Sequence, residues 1–461
     1  MVIVTIDERG YISYDENIYI FSDDTSHNKI PSTIQKEFNT YTSLEDLDTS
    51  EPEDNPDITP RVDVDEINSK FSEFDSENEI KTKIKVAFCI KNNKWSILYT
   101  KDTEIDEYSE FILYDKFYDG LLDCVNASFD LLTSGRTKKE KISIITSGST
   151  GTASNNPKSI VKDTNRMNAS VAIKCSSYVI LDFEENYIYI ENTEKLKKGS
   201  KECGLDCLID IERGIKYTTI CNLNLFGMQT YGIFVAGSSF ILFKNIKIFI
   251  AQGENRSVSI GIRVQSQDNA KANVALSHWS HDIYFDNCSF NGLNEHGIET
   301  FNVYNIYMST INITDVGGCG VLLNCSYNAW INRIIGKRCC AGDTYAAVRF
   351  ANDVGPNINI HYVYGEACGN GVFLASSSND IYIDKINLIN IHSTPIYVGG
   401  SAGLHIQSGK IISNVGEIKF STFKGETSVT KATTGGAIFL VGGSSSQFLP
   451  QWNNAFENIK L

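Results

Sequence analysis

The chain has no run near the roughly 18 consecutive apolar residues that a membrane-spanning helix needs. Its start, Met1–Asn17, also lacks the basic-then-apolar order of a secretory signal. No membrane partner is therefore expected. The missing leader leaves three alternatives open, namely a processed extracellular product, a virion component and a cytoplasmic protein, and the first two are preferred. Proline is scarce, with eight in 461 residues, and three of these fall between Thr40 and Glu79. That segment is acidic and poor in apolar residues, which reads as a linker or extended arm.

Zinc spacing is missing too. The chain has 12 cysteines, but neither Cys203 with Cys207 nor Cys339 with Cys340 has a second Cys/His pair at metal-binding distance in sequence. Cys288, Cys319, Cys325, Cys340 and Cys368 recur at repeat-linked places and read as small apolar residues of a stacked core. Six Asn-x-Ser/Thr sites, the first at Asn126, are near chance in so Asn-rich a chain. A basic excess is absent as well. Residues 1–80 hold 21 acids and 5 bases, while 81–461 hold 35 acids and 36 bases. No nucleic-acid partner is expected. The neutral remainder tolerates a polyanionic substrate, because the acidic segment is screened beyond about 8 Å.

What the chain does have is a repeated phrase: Gly-Ile/Val-x-apolar, a short polar turn, then alternating Ile/Val/Tyr. It starts at Gly232, Gly261, Gly297, Gly320, Ala347, Gly371 and Pro395, at offsets of 29, 36, 23, 27, 24 and 24 residues. Those offsets are too short for helix-pair repeats and match the coils of a parallel β-helix. Upstream, Ile84–Thr100 reads as a hairpin, and residues 119–134 carry a helical apolar stripe ending at Gly135. The expected organisation is a small acidic β-containing module with linker over 1–115 and a β-helix domain over 116–461. A helix at about 119–134 would cap the open edge of the first coil.

Period-2 alternation puts the Ile/Val after each Gly inward and the next residue outward. The outward ladder is then Phe234, Arg263, Glu299, Leu322, Arg349, Phe373 and Tyr397. Arg263 and Glu299 should touch, being one coil step of about 4.8 Å apart. Two coils carry extra residues, at Gln265–His281 and at Gly336–Tyr345, and solenoid insertions mark a working face. The candidate groove is lined by Arg263, His296, Glu299, Lys337, Arg338, Tyr345 and Arg349. The bland alternative is a surface salt-bridge ladder, whose pairs contribute about 0–1 kcal/mol each. His278, His281, His361 and His405 read as turn or stacking residues.

The coil pattern, the preceding cap helix and the phrase Val348-Arg349-Phe350-Ala351-Asn352 resemble the pectate-lyase-like superfamily over residues 116–445. The resemblance implies an all-β, right-handed, single-stranded parallel β-helix of about ten coils. It also implies action on polysaccharide, as a lyase, a glycoside hydrolase or a tailspike-type depolymerase. A lyase must neutralise a uronate carboxylate, remove the neighbouring proton and protonate the leaving oxygen. The preferred assignment is Arg349, with Arg263, on the carboxylate, Lys337 as base and Tyr345 as acid, while His296, Glu299 and Arg338 bind substrate. The expected partner is an acidic polysaccharide, and monomer and homotrimer are both open. No cofactor is required by this scheme and no metal ligands are assigned. Calcium remains an alternative through Glu299, Asp315 and Asp343, although these do not form the tight acidic cluster it needs. A hydrolase would use Glu299 with Asp315, Asp343 or Glu366 at about 5–9.5 Å. A non-catalytic, carbohydrate-binding solenoid is the third reading.

Overall fold

The computed structural model describes residues 59–74, 80–89, 94–102, 105, 109–145, 172–185, 187–191, 207–226, 231–249, 260–267, 274–340, 345–401, 403–412, 438–441 and 454–460. For 5–6, 11–14, 17–20, 73–74, 145, 160–162, 187, 189–191, 226 and 439–441 it describes the backbone alone. Cys203, Asp343 and the middle of the first insertion lie outside these residues. The chain is mostly β, built from parallel strands in a solenoid-like arrangement. It divides into two compact units, one of residues 1–46, 75–234 and 240–257, the other of 47–74, 235–239 and 258–461.

In the second unit the repeat phrase forms one wall. Strands Ile260–Gln265, Ile298–Phe301, Val321–Asn324, Ala346–Ala351, Asn370–Ala375, Ile396–Gly399 and Ile438–Val441 pair in parallel, each with the next. Ile262, Ile298, Val321, Val348, Val372 and Ile396 stack in register, and all are fully buried. The repeat glycine is a packing requirement. A Cβ on Gly320 would lie 2.5 Å from the carbonyl oxygen of Ala347. Ala347, which replaces the glycine one coil later, fits because Gly336 and Gly365 leave room for its methyl group.

Longer strands make the other wall: Val303–Thr314, Tyr327–Lys337, Ile358–Glu366, Ile381–Ile389 and Leu404–Ile412, again parallel. The polar turns that lead into these strands are tied by side chains. Asp282, Asn305, Asn328, Asn357 and Asp380 all hold left-handed backbone, with φ between 52° and 65°, a conformation Asn and Asp adopt at least cost. Asn305 donates to Asp282 at 3.0 Å, Asn328 to Asn305 and Asn357 to Asn328 at 3.3 Å each. This ladder repeats the coil height and fixes the register.

The acidic segment expected as an extended arm contains a helix, Val64–Phe74, which belongs to the second unit. Asp63 Oδ1 caps it by accepting the amides of Asp65 and Glu66. Ile67 is 1% exposed and Phe71 meets Tyr284 edge-on at 5.8 Å. Ahead of it, the buried Asp384 carboxylate accepts the amides of Arg61 at 2.8 Å and Val62 at 3.1 Å. Polar composition had hidden an apolar stripe of three residues.

In the first unit, Thr82–Cys89 and Lys94–Tyr99 form the expected antiparallel hairpin. Thr82–Cys89 also pairs in parallel with Glu140–Ile145, so a boundary at residue 115 would cut through a shared sheet. The helix covers Leu121–Ser128, followed by a short 3-10 turn, Phe129–Leu131. Its Asn126 side chain donates to Ala172 O at 2.9 Å and accepts the Lys174 amide at 2.8 Å. That amide closes the backbone edge of strand Ile173–Lys174 as a neighbouring strand would.

Candidate functional site

The outward positions of the short-strand wall are in register from Arg263 through Glu299, Leu322, Arg349 and Phe373 to Tyr397. Phe234 stands half-buried on its own strand, Tyr231–Ala236. Arg263 and Glu299 form an ion pair. Glu299 also accepts from Asn324 Nδ2 at 3.3 Å, and Arg263 Nε donates to Gln265 at 3.2 Å. Burial pushes the Glu299 carboxyl up, against the pull of Arg263. These two charges therefore largely consume each other.

Arg349 differs. Its guanidinium carbon lies 4.7 Å from the ring centroid of Phe373 and 5.2 Å from that of Tyr345. Its Nε is buried with no hydrogen-bond acceptor, and among the described residues no carboxylate pairs with it. Phe373 is braced edge-on by Tyr397 at 4.6 Å. Stacking holds the guanidinium plane, with Nε buried against the protein.

His296 completes this cluster. It is 4% exposed, its Nδ1 accepts the Cys319 amide at 2.8 Å, and its ring meets Tyr345 edge-on at 5.3 Å. Burial, then the nearby Arg263 and Arg349, push it down to about 4. The imidazole is thus neutral near pH 7. With Nδ1 accepting, the proton resides on Nε2, which lies 3.7 Å from Glu295 Oε2. Burial also raises the Tyr345 phenol, with Glu295 adding to the shift and Arg349 opposing it. Tyr345 keeps its proton near neutrality.

Lys337 and Arg338 are engaged elsewhere. Lys337 ends the long strand Tyr327–Lys337, and its Nζ lies 3.2 Å from Glu366, which also accepts the Tyr364 hydroxyl at 2.9 Å. Arg338 grips Asp315 through both Nε and Nη2. The structure therefore brings together Arg263, His296, Glu299, Tyr345 and Arg349, and pairs Lys337 and Arg338 with carboxylates of the long-strand wall. Three other histidines have structural partners. His281 stacks on Tyr304, His361 bonds Asp384, and His405 bonds Glu457. Among the described residues no group of three or more His, Cys, Asp or Glu is placed to hold a metal ion.

Phe373 and Tyr397 were legible as ladder aromatics, but the stacking of Arg349 on Phe373 was not. The signal was their direct succession at the outward position. Against known protein families, curated proteins and solved structures, the chain has no match.

Proposed function

We propose that this protein is a polysaccharide lyase that binds a uronate-containing polymer along the outward ladder and cleaves it by β-elimination. The proposed frame is a right-handed parallel β-helix of about ten coils, resembling the pectate-lyase-like superfamily. Right-handedness is what parallel strand–crossover–strand connections adopt in about 98% of cases. One observation supports the functional reading: Arg349 lies over the rings of both Tyr345 and Phe373, and among the described residues no carboxylate pairs with it.

A uronate carboxylate supplies the missing acceptors and counter-charge in planar geometry that suits a guanidinium. Neutralising that carboxylate acidifies the neighbouring C–H, which is the electrostatic part of the catalysis. Lys337 is the base assigned to the proton beside the carboxylate, and Tyr345, holding its proton beside Arg349, is the acid for the leaving oxygen. His296 Nε2–H donates to a sugar oxygen. Phe373 and Tyr397 carry the apolar face of the next sugar ring.

The pairing of Lys337 with Glu366 favours a second reading, a carbohydrate-binding solenoid without catalysis, because it occupies the assigned base. Product analysis on pectate, alginate and glycosaminoglycan panels separates the readings. The lyase reading expects unsaturated sugar ends with their ultraviolet absorbance. New reducing ends without unsaturation indicate hydrolysis and contradict it, and binding without new ends supports the second reading.

A further inference from the structure

Cys339 and Cys368 occupy equivalent places in successive turns of the second unit. Each follows a residue in left-handed backbone, Arg338 and Ala367, both at φ 51°. The backbone ties these turns on either side of the pair. The Arg338 amide donates to Glu366 O at 2.8 Å, and the Gly369 amide donates to Cys339 O at 2.9 Å. Between those rungs the Cys339 amide donates to Cys368 Sγ at 3.4 Å, and the Cys368 thiol in turn reaches Glu366 O at 3.4 Å and Gly336 O at 3.5 Å. Both residues are fully buried.

Adjacent strands lie about 4.7–4.9 Å apart, inside the roughly 4.4–6.8 Å Cα separation that a disulfide spans. The amide of the adjacent Cys340 donates instead to Val316 O at 2.7 Å, on another turn. We infer that Cys339 and Cys368 form a redox-active dithiol that closes to a disulfide under peroxide and clamps the turn from which the chain proceeds to Tyr345. The inference stands whatever polymer the protein binds.

The chemistry balances. The Cys368 thiolate attacks a peroxide oxygen, the O–O bond breaks, and a sulfenic acid and water form. Cys339 sulfur then displaces the sulfenic oxygen as a second water, giving the S–S bond. Two thiols lose two electrons and peroxide gains them. Donation from the Cys339 thiol, aided by its amide, holds the Cys368 thiol below its ordinary value against burial. That makes Cys368 the attacking sulfur and Cys339 the resolving one.

The test treats the full-length protein with hydrogen peroxide, alkylates remaining thiols after unfolding, and maps peptides without reduction. The expected result is a linked Cys339–Cys368 peptide and loss of the alkylated Cys368 peptide, both reversed by a dithiol reductant. The link should vanish in Cys339→Ser and in Cys368→Ser and persist in Cys340→Ser. Oxidised wild type should also unfold at higher urea than reduced wild type, a difference absent from Cys368→Ser. Cys368 remaining fully alkylatable after oxidation, or a link that persists in Cys339→Ser, overturns the inference. Where a serine variant does not fold, fragment ions of the wild-type peptide decide between Cys339 and Cys340.

Discussion

Arg349 rests against the ring of Phe373, its guanidinium carbon 4.7 Å from the ring centroid. The contact joins neighbouring coils, since the two residues are direct partners in the parallel ladder. It holds a cation in a half-buried place without giving it a counter-ion. Arg263, three coil steps earlier on the same ladder and directly beside Glu299, has its carboxylate already. The difference between these arginines is why the candidate site centres on Arg349.

His296 makes folding stability depend on pH. Its value is about 4 in the fold and about 6.5 in an unfolded chain, so between these the unfolded state binds more protons. Stability contributed by neutral His296 is present above about 6.5 and is lost as pH falls toward 4, a loss of about 3 kcal/mol. Urea unfolding from pH 7 to pH 4 should show this slope, and His296→Gln should flatten it. An unchanged slope would remove His296 from the account.

The pair Arg263–Glu299 should behave as a buried ion pair. Glu299→Ala alone strands the arginine and is expected to cost about 3–5 kcal/mol. The double replacement Arg263→Met with Glu299→Leu should cost clearly less. A double-mutant cycle in urea measures the coupling, and a coupling near zero would make the pair an ordinary surface contact.

Asn126 substitutes for a strand at the edge it covers. Removing its amide leaves Ala172 O and the Lys174 amide without those partners, at a cost of about 1–3 kcal/mol. Asn126→Ala should therefore lower the urea midpoint and speed hydrogen exchange at Lys174. Exchange at Lys174 that does not change would show that something else covers this edge.

Asp384 anchors the segment leading into the helix Val64–Phe74. Asp384→Ala removes the acceptor of Arg61 and Val62 and the partner of His361. Limited trypsin digestion should then cut at Arg61 and Lys70 faster than in wild type, while sites in the long-strand wall keep their rates. Equal cleavage would mean that Ile67 and Phe71 hold the helix by themselves.

Much of the short-strand wall was readable because a glycine followed by Ile or Val sets the period-2 phase. Once Ile262 and Ile298 point inward, Arg263 and Glu299 have one face left. Aligning the turns of successive coils sets Asp315, Lys337, Arg338 and Glu366 at similar heights, but which of them pair was not readable. Lys337 ends its strand as the ladder partner of Glu366, whereas Arg338 lies in the turn beyond and reaches back to Asp315, so the choice of partner is set where apolar alternation stops. The helix Val64–Phe74 was hidden because Val62, Ile67 and Phe71 are too few to dominate an acidic segment. Asn126 was visible only as a glycosylation pattern, and its bond to Ala172 spans 46 residues.

The most direct measurement compares the affinity of wild type and Arg349→Ala for a uronate oligosaccharide and for the same oligosaccharide with its carboxylates reduced to alcohols. Wild type should prefer the charged ligand by about tenfold or more, equivalent to about 1.4 kcal/mol, and Arg349→Ala should lose that preference while still binding the reduced ligand. A wild type without preference, or a preference that survives in Arg349→Ala, would contradict the assignment of Arg349 as the carboxylate anchor.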